Sequence, residues 1–280
     1  MTILIDDTSP FGRFSPSLTR RRVHALMNET YKAGWFGRRL FGRLRTLERF
    51  IWPHPAEILD VYRFGLRWRL YHRSNVADSR LLLRPESFEA KELDSILNIL
   101  HPRFVFIDVG ANCGFFALRV ANALPQAHSG HVIALEPHPE MRRRLSFNIE
   151  LNSASDISIL GYAVSDRTGS ARLLEGVGNL GETRVSDRGS INVELRTLLD
   201  IASDERLERI DAIKVDIEGH EDRVLEPFLR DAPNSLLPRV LVAEYRWSDD
   251  WKSDWMTSAV SRGYREQVRT RFGNIILIRR

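Results

Sequence analysis
Cysteine and lysine are both scarce in this chain. Of 280 residues only Cys113 is a cysteine, so no disulfide can close within the chain, and a reducing, cytoplasmic setting is expected. Lysine occurs only at Lys32, Lys91, Lys214 and Lys252, which leaves arginine to supply nearly all the basic charge. A net charge of +4 and a pI near 9.4 would ordinarily suggest nucleic acid or anionic lipid. Here the arginine skew has the look of a codon bias, and no nucleic-acid partner is expected. No apolar run approaches the roughly 18 residues that a bilayer span requires. Met1 is followed by a short apolar run and then Asp6 and Asp7, without a basic leader, so no secretory signal is expected. Histidines in clear metal-ligand spacing, internal repeats and low-complexity tracts are also missing.

One further absence is more informative. Phe104 to Gly114 reads FVFIDVGANCG, a buried strand that ends in an acid and a glycine turn and then opens a helix. The dinucleotide fingerprint GxGxxG needs a glycine two positions after Gly110, and this chain has Asn112 there, so a diphosphate is poorly served. Asp108 at the strand end would repel phosphate and attract a cation. Gly110 and Gly114 bracket the turn, where side chains would obstruct a ligand approaching the backbone. A second strand, Val132 to Leu135, ends at Glu136, roughly 25 residues after Gly110, where an acid can accept from both hydroxyls of a ribose. A nucleoside without phosphate but with positive charge fits both acids, and S-adenosylmethionine is such a molecule.

DVGANCG, LEP, AVSDRTG (Ala163 to Gly169) and IKVDIEGHE (Ile213 to Glu221) resemble the FkbM-type S-adenosylmethionine-dependent methyltransferases, over roughly Val61 to the C-terminus. The resemblance implies a class I methyltransferase fold, an α/β Rossmann-like doubly wound sheet, mostly parallel with an antiparallel last strand. It implies O-methylation of a hydroxyl on a sugar, glycan, polyketide or related small molecule. Carried over by position, Asp108, Gly110, Ala111, Asn112, Gly114 and Glu136 contact the cofactor, with Ala163 and Asp166 near its adenine. Cys113 falls at a variable position of the turn.

Two units are expected, a basic helical extension over 1–58 and a catalytic domain over 59–280. From Thr19 to about Trp52 apolar residues recur at helical spacing, among Arg20 to Arg22, Arg38, Arg39, Arg43, Arg45 and Arg49. Gly34 and Gly37 are expected to break this arm, and Pro53 and Pro55 to end it. Two placements are open: peripheral contact with a membrane through Arg20 to Arg49, or packing on its own domain as a lid or dimer contact, the commoner fate of such a segment. Beyond it the pattern predicts a strand at 61–71, a helix at 87–100 capped by Ser87, and then alternating strands and helices. Glycines at 176, 178, 181 and 189 mark an insertion over 165–194 that forms hairpins and either lids the substrate or is an inert excursion. A last helix near 250–262 precedes a closing antiparallel pair, Tyr264 to Arg269 and Asn274 to Arg279.

In an open α/β sheet the ligand lies beyond the carboxyl ends of the strands. Asp108, Glu136, Asp216 with Glu218, and Glu244 all fall on that rim. Asp216 is the first candidate for the reacting centre, followed by Glu218 and His220. Lys214 pairs with Asp216 or holds an anionic substrate group. His220 titrates near neutrality, and a helix-capping or surface role competes with a catalytic one. Asp216, Glu218 and Glu221 could together ligate a divalent cation, although metal-free catalysis ranks above this. A nucleic-acid 2′-hydroxyl methyltransferase and an inactive cofactor-binding scaffold are the competing functions.

Overall fold
A computed structural model describes residues 5–53, 57–176, 179, 181 and 183–279. The arm forms α1 (Leu18–Lys32) and α2 (Gly34–Ile51). They break at Ala33 and Gly34, the latter at φ +74°. Gly37 does not break the arm. It lies inside α2, where a Cβ would stand 2.0 Å from the Thr30 carbonyl, so its role is to let the two helices cross closely. Pro55 and Gly178 fall outside the described residues.

The strand expected over 61–71 is a hairpin, β1 (Glu57–Arg63) with β2 (Leu66–His72), turned at Phe64 and Gly65 with both residues in the left-handed region. Next comes α3 (Val76–Leu83), a helix the pattern did not announce. The helix expected from Ser87 begins later, as α4 (Ala90–Leu97), because a 3₁₀ turn over Pro85–Ser87 intervenes. Ser87 caps nothing; its hydroxyl donates to the Arg84 carbonyl.

The alternation that follows matches expectation closely: β3 (Val105–Val109), α5 (Phe115–Ala123), β4 (His131–Leu135), α6 (Pro139–Leu151) and β5 (Ile157–Leu160). The insertion builds its own sheet from β6 (Ala163–Val164), β7 (Gly169–Leu174), β8 (Arg184–Val185) and β9 (Ile191–Arg196), in the order β6-β9-β7-β8. The chain closes with α7 (Leu198–Asp204), β10 (Ala212–Val215), α8 (Glu221–Asp231), β11 (Val240–Glu244), α9 (Trp255–Ser261), β12 (Tyr264–Arg269) and β13 (Asn274–Arg279).

The main sheet has the order β12-β13-β11-β10-β3-β4-β5. β13 alone runs against its neighbours, and the β11, β10, β3, β4 and β5 pairings are parallel. Parallel strands covered on both faces must be apolar on both, and alternate residues divide accordingly. Phe106, Val132, Ala134, Ala212, Val240 and Val242 pack with α4, α5 and α6, and with Met27 and Phe41 of the arm. Ile107, Ile133, Leu135, Ile213, Val215 and Leu241 pack with α7, α8 and α9.

Polar anchors hold the arm down as well. Glu48 of α2 is wholly buried and accepts hydrogen bonds from Arg20 and from Arg73, each at 2.8 Å. Burial opposes its charge, yet hydrogen bonds from His24, His72 and Arg73 keep its carboxyl far below the usual range. Removing one partner of so buried a network typically costs about 3 to 5 kcal/mol.

Candidate active site
Period-two geometry builds the site. On the face that carries Phe106, Ala134, Ala212 and Val242, the next residue of the same parity at each carboxyl end is Asp108, Glu136, Lys214 and Glu244. Register sets Lys214 beside Asp108 on adjacent strands and Asn274 beside Glu244. All five line one cavity of about 130 Å³, together with Gly110, Ala111, Asn112, Asp216 and Glu218.

Asp108 is 1% exposed, and its Oδ2 accepts from the Ala117 amide at 3.1 Å, the first turn of α5. Its Oδ1 is buried without a hydrogen-bond partner. Burial raises its pKa to about 6, against the pull of Lys214. Glu136 accepts from the amides of Asn112 and His138, both at 2.9 Å, and burial raises its pKa to about 7. Each of its oxygens keeps a second lone pair for a ligand hydroxyl.

Each of the two glycines is also required by the protein's own packing. Gly110 (φ +80°) would place a Cβ 2.0 Å from the Asp216 carbonyl, so its absent side chain lets the β3 turn meet the β10 turn. Gly114 (φ +93°) would meet Leu145 at 2.7 Å and does not line the cavity. Asn112, left-handed at φ +54°, uses its side-chain oxygen to accept from Cys113 N and Asn75 Nδ2.

Lys214 Nζ lies 3.0 Å from Asp216 Oδ2 and 4.9 Å from the centre of the Phe116 ring. Burial alone would lower its pKa, but Asp216, Glu89 and Asp108 outweigh that and hold it above the ordinary value. Glu218, at φ +55°, accepts from the Trp247 indole at 2.9 Å. Glu244 is 5% exposed with Oε2 lacking a hydrogen-bond partner; burial, with Asp216, Glu218 and Glu221, pushes its pKa up. Oxygens of Asp216, Glu218 and Glu244 all lie within 4.8 Å of one another, a grouping that hard divalent cations also favour. Glu221 is not part of it. Its carboxylate accepts from the Ile217 and Gly219 amides and from Trp251, so it holds the turn.

Two candidates stand apart. His220 lines a second, mostly apolar cavity of about 30 Å³ with Ala163, Leu135 and Tyr162; burial, then Arg223, lowers its pKa. It precedes α8 without capping it, and its Nδ1 is buried with no partner. Asp166 lines neither cavity and pairs with Arg223 at 3.3 Å. The insertion reaches the first cavity through Asn179, Gly181 and Thr183.

Sequence reasoning missed Glu89, Asn75, Arg80 and Asn274, which also line that cavity. Asn75 carried a usable signal. It caps α3 by accepting from Ala77, with Asp78 in the first turn. Glu89 (φ +46°) sits in an irregular turn and carried none.

Seven strands in this order, with one reversed strand and an acid-tipped glycine turn at the centre, define a class I methyltransferase fold. Residues 108–266, more than half the chain, match the methyltransferase FkbM domain, and the chain belongs to that family. It is 32% identical to methyltransferase sdnD of Sordaria araneosa over 154 residues, 43% of this chain and 58% of that protein. It is 40% identical to AMB antimetabolite synthetase AmbE of Pseudomonas aeruginosa over 68 residues, 24% of this chain and 3% of that one. The chain thus spans less than two thirds of either relative. Among solved structures it overlaps precorrin-6y C5,15-methyltransferase of Geobacter metallireducens at TM-score 0.43 and 14% identity, over 71% of this chain and 90% of that one. TYW2 of M. jannaschii, in complex with AdoMet, overlaps at TM-score 0.38 and 14% identity, over 79% and 83%. At these TM-scores the fold assignment stays with the strand order and the family.

Proposed function
We propose that this chain is an S-adenosylmethionine-dependent O-methyltransferase acting on a hydroxyl of a sugar, glycan, polyketide or related metabolite. The observation that carries the proposal is the buried, unpartnered Oδ1 of Asp108 in a cavity also lined by Glu136, Lys214 and Asp216. A desolvated carboxylate oxygen without a partner is costly unless a cation completes it. Glu136 would hold the ribose, Asp108 would face the positive end, and Ala163 with its apolar neighbours would border the purine. When bound, the cofactor supplies an electrophilic methyl group on a sulfonium.

Asp216 orients the acceptor hydroxyl and takes its proton, while Lys214, 3.0 Å from its Oδ2, fixes the carboxylate in place. Orientation of the reacting pair is the larger contribution, about 7 to 11 kcal/mol in favourable cases. Proton removal adds about 10² to 10⁴ in rate. No metal enters this scheme, because the Lys214 ammonium already counters Asp216 and Trp247 already donates to Glu218.

For the arm, peripheral contact with a membrane is supported by the outer side of α2, where Phe36 and Phe50 are 79% and 83% exposed among arginines. Among the described residues no helix is long and apolar enough to cross a membrane. Mass spectrometry of host glycans and metabolites, with and without the protein, tests the activity. One methyl group disappears from a hydroxyl when the protein is absent; an unchanged methylation pattern, together with no consumption of S-adenosylmethionine by purified protein in host extract, would overturn it.

A further inference from the structure
A third cavity, of about 270 Å³, lies between α2 and α3 and is lined by five arginines: Arg45, Arg49, Arg73, Arg80 and Arg84. Among the described residues no acid lines it. Guanidinium groups gathered round one space repel one another. Partial desolvation, then the like charge of Arg49, lowers the pKa of Arg45, while Glu48, which holds Arg73 at 2.8 Å, opposes this.

The arginines are held in position. Arg80 and Arg84 both stack on Phe272, at 5.6 and 5.4 Å from the ring centre, and Arg84 also bonds the Tyr31 hydroxyl. The Nε of Arg80 is buried with no hydrogen-bond partner. Asn75, Val76 and Arg80 line this cavity and the acid-lined one alike, so the two spaces share a wall.

We infer that the arginine cavity binds a phosphate or diphosphate group carried by the methyl acceptor. A guanidinium fork matches phosphate oxygens two at a time, and no other side chain neutralises a dianion with comparable geometry. The acid-lined cavity next door repels that same group. An acceptor that spans the shared wall therefore has one orientation, with phosphate behind Arg80 and hydroxyl toward Asp216. The assignment rests on the proposed methyl transfer for its substrate, but the anion site can be tested without turnover.

Titration calorimetry of the full chain with inorganic pyrophosphate, and separately with dihexanoyl phosphatidic acid below its micelle concentration, distinguishes a soluble phosphate from a lipid one. The comparison protein is the Arg45→Gln/Arg49→Gln double variant, whose two sites are exposed on α2. S-adenosylmethionine titrated into both proteins serves as the control for folding. The expected result is saturable binding of at least one probe to the native chain, weakened about tenfold or more in the variant, with cofactor affinity unchanged. The tighter probe identifies the source. No saturable binding of either probe, or equal binding by both proteins, would overturn the inference while leaving the methyltransferase proposal standing. Loss of cofactor binding by the native chain would strike that proposal instead.

Discussion

Two cavities meet at Asn75, Val76 and Arg80, one lined by more acids than bases and the other by arginines without an acid among the described residues. One collects Asp108, Glu136, Asp216, Glu218 and Glu244 from the carboxyl ends of strands and the turns after them. The other collects arginines from two helices and from Arg73 at the end of the hairpin. The first is part of the sheet, so Asp108, Glu136 and Glu244 are fixed by register and parity, and burial pushes their pKa values up. The second is part of the arm's docking surface, where Arg45 and Arg49 remain in contact with water. Acids fixed by the sheet thus gather round Lys214 at the reacting centre, and arginines stand beside it, Arg80 and Arg84 held against Phe272 and Arg45 and Arg49 facing water.

Removing the acid proposed to act on the acceptor tests that division hardest. Asp216→Asn should lower kcat by about 10² to 10⁴ while leaving the dissociation constant of S-adenosylmethionine within a factor of about two; equal losses in both would make Asp216 a cofactor ligand. Next in size is Gly110→Ala. It combines left-handed strain of about 1 to 2 kcal/mol with a Cβ set 2.0 Å from the Asp216 carbonyl. Denaturant unfolding should show a loss of about 2 to 4 kcal/mol, and an unchanged midpoint would mean that the two turns do not meet as described.

The smallest effect is pH dependence. Burial holds Asp108 at about 6 and Glu136 at about 7, above the ordinary carboxylate range. The folded chain therefore keeps protons that the unfolded chain has released. Stability from these two groups is greatest below about pH 4 and is lost as pH rises through their folded values. Affinity for a cationic ligand has the opposite sign, since uptake favours both carboxylates ionised. It should climb between about pH 5 and pH 7, by up to tenfold per unit for each carboxylate that ionises, with proton release visible in buffers of different ionisation heat. A flat profile would contradict the assignment of these acids.

The acid-lined cavity was far more legible in the sequence than the arginine-lined one, for a structural reason. Asp108, Glu136, Lys214, Asp216 and Glu244 sit at or just past the ends of short apolar runs, and a parallel sheet brings such ends to one rim whatever the loops do. Glu89 and Arg80 reach the same cavity from a left-handed turn and from α3, whose position depends on tertiary packing. α3 and α7 had readable caps in Asn75 with Asp78 and in Thr197 with Asp200, yet neither helix was anticipated. Both are short, and their apolar spacing is weak beside that of α5 or α6. Gly110 and Gly114 teach a narrower lesson. A glycine in a sequence shows that a Cβ is unwelcome, but only the fold says whether a ligand, a carbonyl or a leucine excludes it.

Calorimetric titration of S-adenosylmethionine into the native chain, Asp108→Asn and Glu136→Gln tests the central claim most directly. One-to-one saturable binding to the native chain is predicted, weakened about tenfold to a hundredfold by Glu136→Gln through lost charge-assisted hydrogen bonds, and weakened again in Asp108→Asn. No saturable heat with the native chain, or equal affinity in all three proteins, would contradict a cation-binding nucleoside site at the ends of β3 and β4.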